Sequence, residues 1–342
     1  MEIDRLAPSV ATLYAELLEQ ALVNERVAGL EGEFPGGPVS KVVRGRRYLY
    51  WQIRKGDQAS QRYLGPDTAE LRQALERLDE RRRETAGQRA SLDRLASMLI
   101  HGGAPREESR VAAVLRLLAD LGLFRRGAVL AGTQAFRAYS NLLSVRLSSA
   151  ALRTQDIDVA HSVDVALAAA CEPVMHVEAA LTKLGMLPVP GLDPRRPSTS
   201  FYMRGQELRV DFLTPGRRGA QETPVLVPGL GLSAWPLPFL DYLIEEPVPA
   251  VILDSSPILV RVPRPGRFVF HKLWTASTRP AAEHAKAVKD RLQAQSLLTV
   301  LDSDRPDDLS EAMAALGRRP AHRRRVLQEL ERLPQEARTW LS

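Results

Sequence analysis

Residues 128–160, AVLAGTQAFRAYSNLLSVRLSSAALRTQDIDVA, contain the pattern that decides the fold. The last residues of this segment alternate carboxylates with β-branched apolar side chains, which is typical of a strand with one polar and one buried face. Asp156 and Asp158 therefore share one face, and Ile157 and Val159 point into the core. Two adjacent carboxylates repel each other, and a divalent cation that prefers oxygen ligands, Mg²⁺ or Mn²⁺, relieves this repulsion. The pattern predicts a metal site, although solvated aspartates at a strand end are the simpler alternative.

The beginning of the same segment predicts a phosphate site. An apolar run stops at Gly132 and Thr133, and a helix-like segment follows. A strand that turns through glycine into a helix presents free backbone N–H groups, which bind phosphate. Many such turns bind nothing, so the turn is weak evidence alone. Combined with a carboxylate pair, it indicates nucleotide chemistry.

A third carboxylate lies on a later segment. Residues 208–213, LRVDFL, alternate in the same way and follow the stretch 200–203 and a short turn, which predicts a hairpin. If this hairpin lies beside the strand of Asp156, its Asp211 joins the pair. Three facing carboxylates would form a site for two metal ions.

The combination of Gly132-Thr133, TQDID at 154–158 and VDFLTP at 210–215 resembles the DNA-polymerase-β-like nucleotidyltransferase superfamily. It is most similar to the bacterial branch that includes AbiEii-type abortive-infection toxins, over roughly residues 106–300. The superfamily usually has Gly or Ser where Thr133 stands.

This resemblance implies transfer of a nucleoside monophosphate from an NTP to an acceptor hydroxyl, dependent on two Mg²⁺ (or Mn²⁺) ions. Asp156, Asp158 and Asp211 are then the catalytic and metal-binding residues, with the nucleotide phosphates seated at Gly132 and Thr133. Two further nucleotide-binding residues follow from lysine positions that recur in the family, Lys272 and Lys289.

A basic and aromatic stretch precedes this part of the chain. Strand-like segments separated by turns at about 39–64 predict a three-stranded meander that carries arginines and tyrosines together. This mixture is typical of a nucleic-acid stacking platform, with Arg46, Arg47 and Arg54 as candidate RNA contacts. The alternative is a small β unit whose aromatic residues pack on one another.

The predicted fold is α/β (α+β), with a mixed-sheet nucleotidyltransferase core between an N-terminal helix and meander region and a C-terminal helical region. The expected domains are 1–104, 105–235 and 236–342, with a linker at Gly102–Pro105. The Pro-rich residues 215–238 predict a loop, and 241–243 predict a short strand.

The composition limits the classes of binding partner but does not identify one. The 342 residues carry a net charge of +6, which permits a polyanionic partner, tRNA or other RNA. A signal peptide and a membrane span are both unsupported by the sequence, so a cytoplasmic protein is expected. A protein or small-molecule acceptor and an antitoxin partner stay open, as does a non-catalytic nucleic-acid-binding protein on the same scaffold.

Overall fold

The computed structural model describes residues 3–31, 37–43, 45–55, 58–147, 155–162, 176–191, 196–216, 223–227 and 229–334. The side chains of 26–31, 54, 55, 58, 81 and 82 also lie outside this description. Thr154 of the TQDID motif and the side chain of Arg54 therefore belong to the part that is not described.

Helices and strands follow one another along the whole described chain. The N-terminal elements are α1 (Pro8–Glu31), β1 (Gly37–Val43), β2 (Arg46–Lys55), β3 (Gln58–Pro66) and α2 (Ala69–His101). The central elements are α3 (Ser109–Asp120), β4 (Val129–Ala131), α4 (Gly132–Leu142), β5 (Asp156–Ala160), α5 (Val177–Lys183), β6 (Met186–Pro188), β7 (Ser200–Met203), β8 (Arg209–Pro215), β9 (Val225–Val227) and β10 (Leu232–Leu237). The C-terminal elements are α6 (Leu240–Ile244), β11 (Val248–Ile252), β12 (Ile258–Val262), α7 (Pro265–Thr278), α8 (His284–Asp304), α9 (Pro306–Leu316) and α10 (Pro320–Glu331).

The main sheet is built around β8. This strand pairs in parallel with β5 and with β10, and antiparallel with β7. Strand β4 pairs antiparallel with the other edge of β5. The alternating pattern puts Ile157, Val159, Val210 and Phe212 in the core, each at most 2% exposed. A mixed sheet with flanking helices and a helical C-terminal part confirms the predicted fold class.

The two predicted antiparallel arrangements are both present. Strands β7 and β8 form the hairpin expected at 200–213, with Ser200 opposite Asp211. Strands β1, β2 and β3 form the expected meander in that order. Strands β11 and β12 pair with each other in a separate two-stranded sheet.

Two predictions for the chain after β8 are wrong. The residues expected to be a loop, 215–238, contain β9 and β10. Proline is tolerated near a strand end, so Pro236 does not prevent β10 from pairing with β8. Residues 241–243, expected to be a strand, lie in helix α6. An apolar run this short has no period that separates helix from strand, and Phe239, with a φ of 66°, redirects the chain into the helix.

Contacts divide the chain into two compact units, residues 1–18 with 96–342, and residues 19–95. The division falls within α1 and α2 and not at the 102–105 linker. The predicted division into 1–104, 105–235 and 236–342 stays a prediction, because contacts alone do not test which parts fold independently. Among the helices that the structure describes, none combines the length and apolar character that a membrane span requires.

Candidate active site

The pairing of β5 with β8 brings the predicted carboxylates onto one face of the sheet. Asp158 is the register partner of Asp211, and Asp156 is the partner of Arg209. Neighbouring strands lie about 4.8 Å apart, and paired residues of parallel strands point to the same side. Three carboxylates and one guanidinium therefore stand together, although Asp156 and Asp211 are 55 positions apart in the sequence.

Gly132 joins this cluster at the turn from β4 into α4. Its neighbour Ala131 pairs with Asp158 across β4 and β5. Gly132 has a φ of 59°, which side chains with a Cβ rarely adopt. A Cβ at this position would also overlap the carboxylate of Asp158. Glycine is thus required by backbone conformation and by close approach, and the beginning of α4 lies directly against Asp158.

Thr133 and Lys289 are in direct contact. Thr133 is buried, and the Lys289 Nζ donates to its Oγ1 at 2.8 Å. Burial lowers the pKa of Lys289, as does the charge of Lys272, whereas Asp290, Asp156 and Asp158 raise it. The contact brings an amine from α8 to the first turn of α4, where free N–H groups favour an anion.

Lys272 does not point freely into the site, because Asp290 holds it. Its Nζ lies 2.8 Å from one carboxylate oxygen of Asp290, and Arg279 Nε donates to the other oxygen at 2.6 Å. Asp290 is only 2% exposed. Despite that burial, the two cations and their hydrogen bonds keep the pKa of Asp290 below its ordinary value. We call Lys272, Arg279 and Asp290 the Asp290 node.

The two carboxylates on β5, unlike that of Asp290, have raised pKa values. Burial and the nearby carboxylates of Asp211 and Asp156 together raise the pKa of Asp158 to about 6, against the attraction of Lys272 and Lys289. Burial and Asp211 also raise the pKa of Asp156, opposed by Lys289, Arg209 and Lys286. Proximity of like charges and incomplete solvation are the physical cause. The face thus concentrates negative charge that the surrounding cations do not neutralise.

Asp211 has partners that the sequence analysis did not identify. The hydroxyl of Ser200 and the Nε of Arg209, the latter at 2.8 Å, both donate to one oxygen of this carboxylate. Arg209 could have been found from the sequence, since a residue two positions earlier on a strand shares a face. Ser200 could not, because its position opposite Asp211 depends on the strand pairing.

The donor chemistry of this face fits a divalent cation, since it offers carboxylate oxygens that carry unneutralised charge. The buried amide of Gln134, two residues after Gly132, has no hydrogen-bond partner in the described residues. Within those same residues, no three His, Cys, Asp or Glu side chains stand ready to hold a metal ion together. Asp156 and Asp158 are therefore the residues that fit a metal directly, and Asp211 would have to turn from Arg209 to join them.

The candidate RNA contacts lie on the meander in residues 19–95. Tyr63 is 55% exposed, and its ring contacts the rings of Tyr48 and Tyr50 at 6.1 and 5.4 Å. Arg46 lines an open depression with these tyrosines, and Arg47 lies 4.0 Å from the Asp67 carboxylate. The aromatic rings thus pack on one another and still present an exposed basic surface.

An α/β sheet that gathers carboxylates beside a glycine turn and half-buried lysines is suited to phosphoryl or nucleotidyl chemistry. Comparison with protein families matches residues 109–317 to a family described as nucleotidyltransferase. The chain belongs to this nucleotidyltransferase family, which implies a general role in nucleotidyl transfer and an NTP substrate. Searches of curated proteins and of solved structures found no match.

Proposed function

We propose that this protein transfers a nucleoside monophosphate from an NTP to an acceptor hydroxyl, with Mg²⁺ or Mn²⁺ as cofactor. The acceptor oxygen forms a bond to the α-phosphorus, the bond from that phosphorus to the bridging oxygen breaks, and pyrophosphate leaves. The observation that carries this proposal is the register of β5 and β8, which aligns Asp158 with Asp211 next to Gly132.

The metal requirement rests on the uncompensated charge of that face. Asp156 and Asp158 would hold the cations, joined by Asp211. Two bound divalent ions would supply charge stabilisation for the attacking and leaving oxygens. The raised pKa values of Asp156 and Asp158 support this assignment, since they follow from burial and from repulsion between carboxylates that the nearby cations offset only in part.

The remaining residues position the substrate. The first turn of α4, at Gly132 and Thr133, would seat the β- and γ-phosphates through its free N–H groups. Lys289, which reaches Thr133, would add a charge-assisted hydrogen bond to the same phosphates. Lys272 would attract the phosphates electrostatically without contacting them, because its amine is already bound to Asp290. Asp211 would accept the proton of the acceptor hydroxyl.

RNA, tRNA in particular, is the acceptor that we propose. The meander supports it, because tyrosine rings that lie beside exposed arginines such as Arg46 and Arg47 are typical of surfaces that stack bases and bind phosphates. Replacing Arg46, Arg47 and Arg54 together with Ala should weaken RNA binding and flatten its salt dependence, by roughly 0.7–0.9 in the log–log slope for each lost phosphate contact. An unchanged slope would favour a protein or small-molecule acceptor.

The direct test is incubation of the purified protein with each labelled NTP, Mg²⁺ and bulk tRNA. Label should enter the RNA in a metal-dependent reaction and should be lost in Asp156→Asn and Asp158→Asn. Label transfer that persists in both variants would exclude these residues from the reaction. Exchange of Mg²⁺ for Mn²⁺ should retain activity, and a chelator should abolish it.

A second candidate function is nucleic-acid binding without catalysis, favoured by the exposed aromatic and basic surface of the meander. Tight RNA binding that is independent of Mg²⁺ and NTP, with no turnover, would support it over nucleotidyl transfer. A toxin-like role with an antitoxin partner is a separate hypothesis based on the resemblance to AbiEii-type proteins. Growth arrest on expression of the wild type, absent with Asp158→Asn, would test that role.

A further inference from the structure

A second cavity lies beside the Asp290 node, on the C-terminal helices. Its volume is about 590 Å³, within the range of small-molecule sites. Its lining includes four aromatic rings together with charged side chains of both signs: Phe239, His271, Trp274 and His322, the arginines Arg279, Arg319 and Arg325, and the carboxylates Asp241 and Glu283.

The aromatic wall is organised around Phe239. This ring lies nearly parallel to His322 and His271, with centroids 4.4 and 5.6 Å away. Trp274 is tilted against Phe239 at 5.0 Å and against His322 at 5.4 Å. Phe239 is 3% exposed, whereas Trp274 and His322 keep part of their surface open to the cavity. The geometry offers flat π surfaces on which another planar ring can stack.

The positions of the charges also suit a nucleotide. Burial lowers the pKa of His271 to about 3, so this ring is uncharged at neutral pH and presents an aromatic face. Arg325 is exposed and has no carboxylate partner in the described chain, so it can bind a phosphate at the rim. The two carboxylates in the lining, Asp241 and Glu283, accept from Arg319 and Arg279. With those charges paired, a neutral aromatic wall and the Arg325 guanidinium match a heterocyclic base attached to a sugar phosphate.

The cavity is connected to the carboxylates through two elements. Arg279 lines it and shares Asp290 with Lys272, whose charge acts on Asp158. Gly216, also at its wall, directly follows the last residue of β8, the strand that carries Asp211. An acceptor RNA extends over several nucleotides, so one of its bases can lie in the cavity while its reacting hydroxyl is at the carboxylates.

We propose that this cavity binds a nucleobase of the substrate. The proposal rests on the proposed nucleotidyl transfer and adds the residues that hold the base. The base belongs either to the incoming NTP or to the acceptor RNA, since both present the same planar heterocycle.

The test is calorimetric binding of ATP, GTP, CTP and UTP, of inorganic triphosphate, and of a short RNA oligonucleotide. Trp274→Ala should weaken binding of the base-containing ligand roughly 5- to 150-fold, the effect of losing one base–aromatic stack. Inorganic triphosphate, which has no base, should bind equally to the wild type and the variant. Trp274→Phe should restore most of the affinity.

The matched control is Trp235→Ala, which removes a 36% exposed tryptophan from β10, outside the cavity wall. It should leave all affinities unchanged. His322→Ala provides a second variant on the outer helix α10, in case Trp274→Ala lowers the melting temperature.

The results distinguish the two possible sources of the base and can overturn the proposal. Weaker NTP binding with unchanged triphosphate binding identifies the base of the incoming nucleotide, and weaker RNA binding with unchanged NTP binding identifies the acceptor base. Unchanged binding of both ligands in Trp274→Ala and His322→Ala overturns the proposal. If the wild type binds no NTP, the proposed transfer fails, while loss of RNA affinity in the variants alone still supports a base-binding cavity.

Discussion

Two aspartates of this protein, Asp158 on β5 and Asp290 on α8, lie in incompletely solvated positions and show opposite electrostatics. The pKa of Asp290 is lowered, because Lys272 and Arg279 each donate to one of its oxygens. The pKa of Asp158 is raised to about 6, because burial is combined with repulsion from Asp211 and Asp156. Among the described residues, the side-chain carboxylate of Asp158 makes no hydrogen bond or ion pair.

The difference is that between a structural carboxylate, Asp290, and the carboxylate that we propose takes part in catalysis, Asp158. A buried charge is normally paired, since leaving it unpaired costs several kcal/mol. Asp290 satisfies that rule and ties α7 to α8. Asp158 breaks it at the place where a helix begins and two other carboxylates stand. Groups with strongly shifted pKa values cluster at functional sites. Substitution of each aspartate tests whether the two differ in this way.

The largest effect is expected for activity in Asp158→Asn. If Asp158 binds metal as proposed, its removal should lower nucleotidyl transfer by at least about 1,000-fold, equivalent to roughly 4 kcal/mol of transition-state stabilisation. The free energy of unfolding without divalent cations should not fall and should rise by up to about 3 kcal/mol at pH 7–8, because a repelled carboxylate is gone. Label transfer and urea unfolding measure both. Asp307→Asn, at an exposed aspartate on α9, is the control that should change neither.

The second prediction concerns stability in Asp290→Asn. The substitution leaves Lys272 and Arg279 without their shared carboxylate, and breaking a buried pair in this way costs about 3 kcal/mol. Urea unfolding should show the loss, with the denaturant slope unchanged. If Asp290→Asn were as stable as the wild type, the contrast between the two aspartates would be lost.

The pH dependence of stability should distinguish the two aspartates by sign. The folded protein holds the proton of Asp158 to a higher pH than the unfolded chain does, so its repulsion costs stability above pH 6 and fades towards pH 4. The gain in Asp158→Asn should therefore disappear between pH 6 and 4. Asp290 stabilises above its unfolded pKa, and this contribution is lost only as the pH falls through its lowered folded pKa. The penalty of Asp290→Asn should stay constant from pH 8 to 5 in the same measurements.

The smallest effect is expected at the phosphate seat next to Asp158. Thr133→Val removes the hydroxyl that accepts from Lys289 and leaves the shape of the side chain. A single hydrogen bond contributes about 1 kcal/mol, so the KM for the NTP should rise roughly fivefold. Thr133→Ser keeps the hydroxyl and should behave like the wild type. A fall in kcat with unchanged KM would place Thr133 in the chemical step and not in phosphate binding.

The strands that carry the site residues could be predicted from the sequence, whereas the side-chain clusters around them could not. Alternation of polar and apolar residues identified β5 and β8, and the hairpin of β7 and β8 followed from the turn between them. The Asp290 node could not be predicted, because Lys272, Arg279 and Asp290 lie on two helices whose packing has no local signal. The aromatic cavity could not be predicted either, because Phe239 and His322 are far apart in sequence. In addition, residues 241–243 were assigned to a strand.

The division of the chain within α1 and α2 has a practical consequence for engineering. Residues 19–95 form one continuous insertion between two segments, 1–18 and 96–342, that belong to the same compact unit. A short helical loop could replace the insertion and leave every residue of the carboxylate face, the Asp290 node and the aromatic cavity in the chain. If residues 19–95 bind the acceptor as proposed, such a minimal enzyme would separate nucleotide chemistry from acceptor choice, and an RNA-binding module grafted at the same junction would redirect the transfer to a selected target.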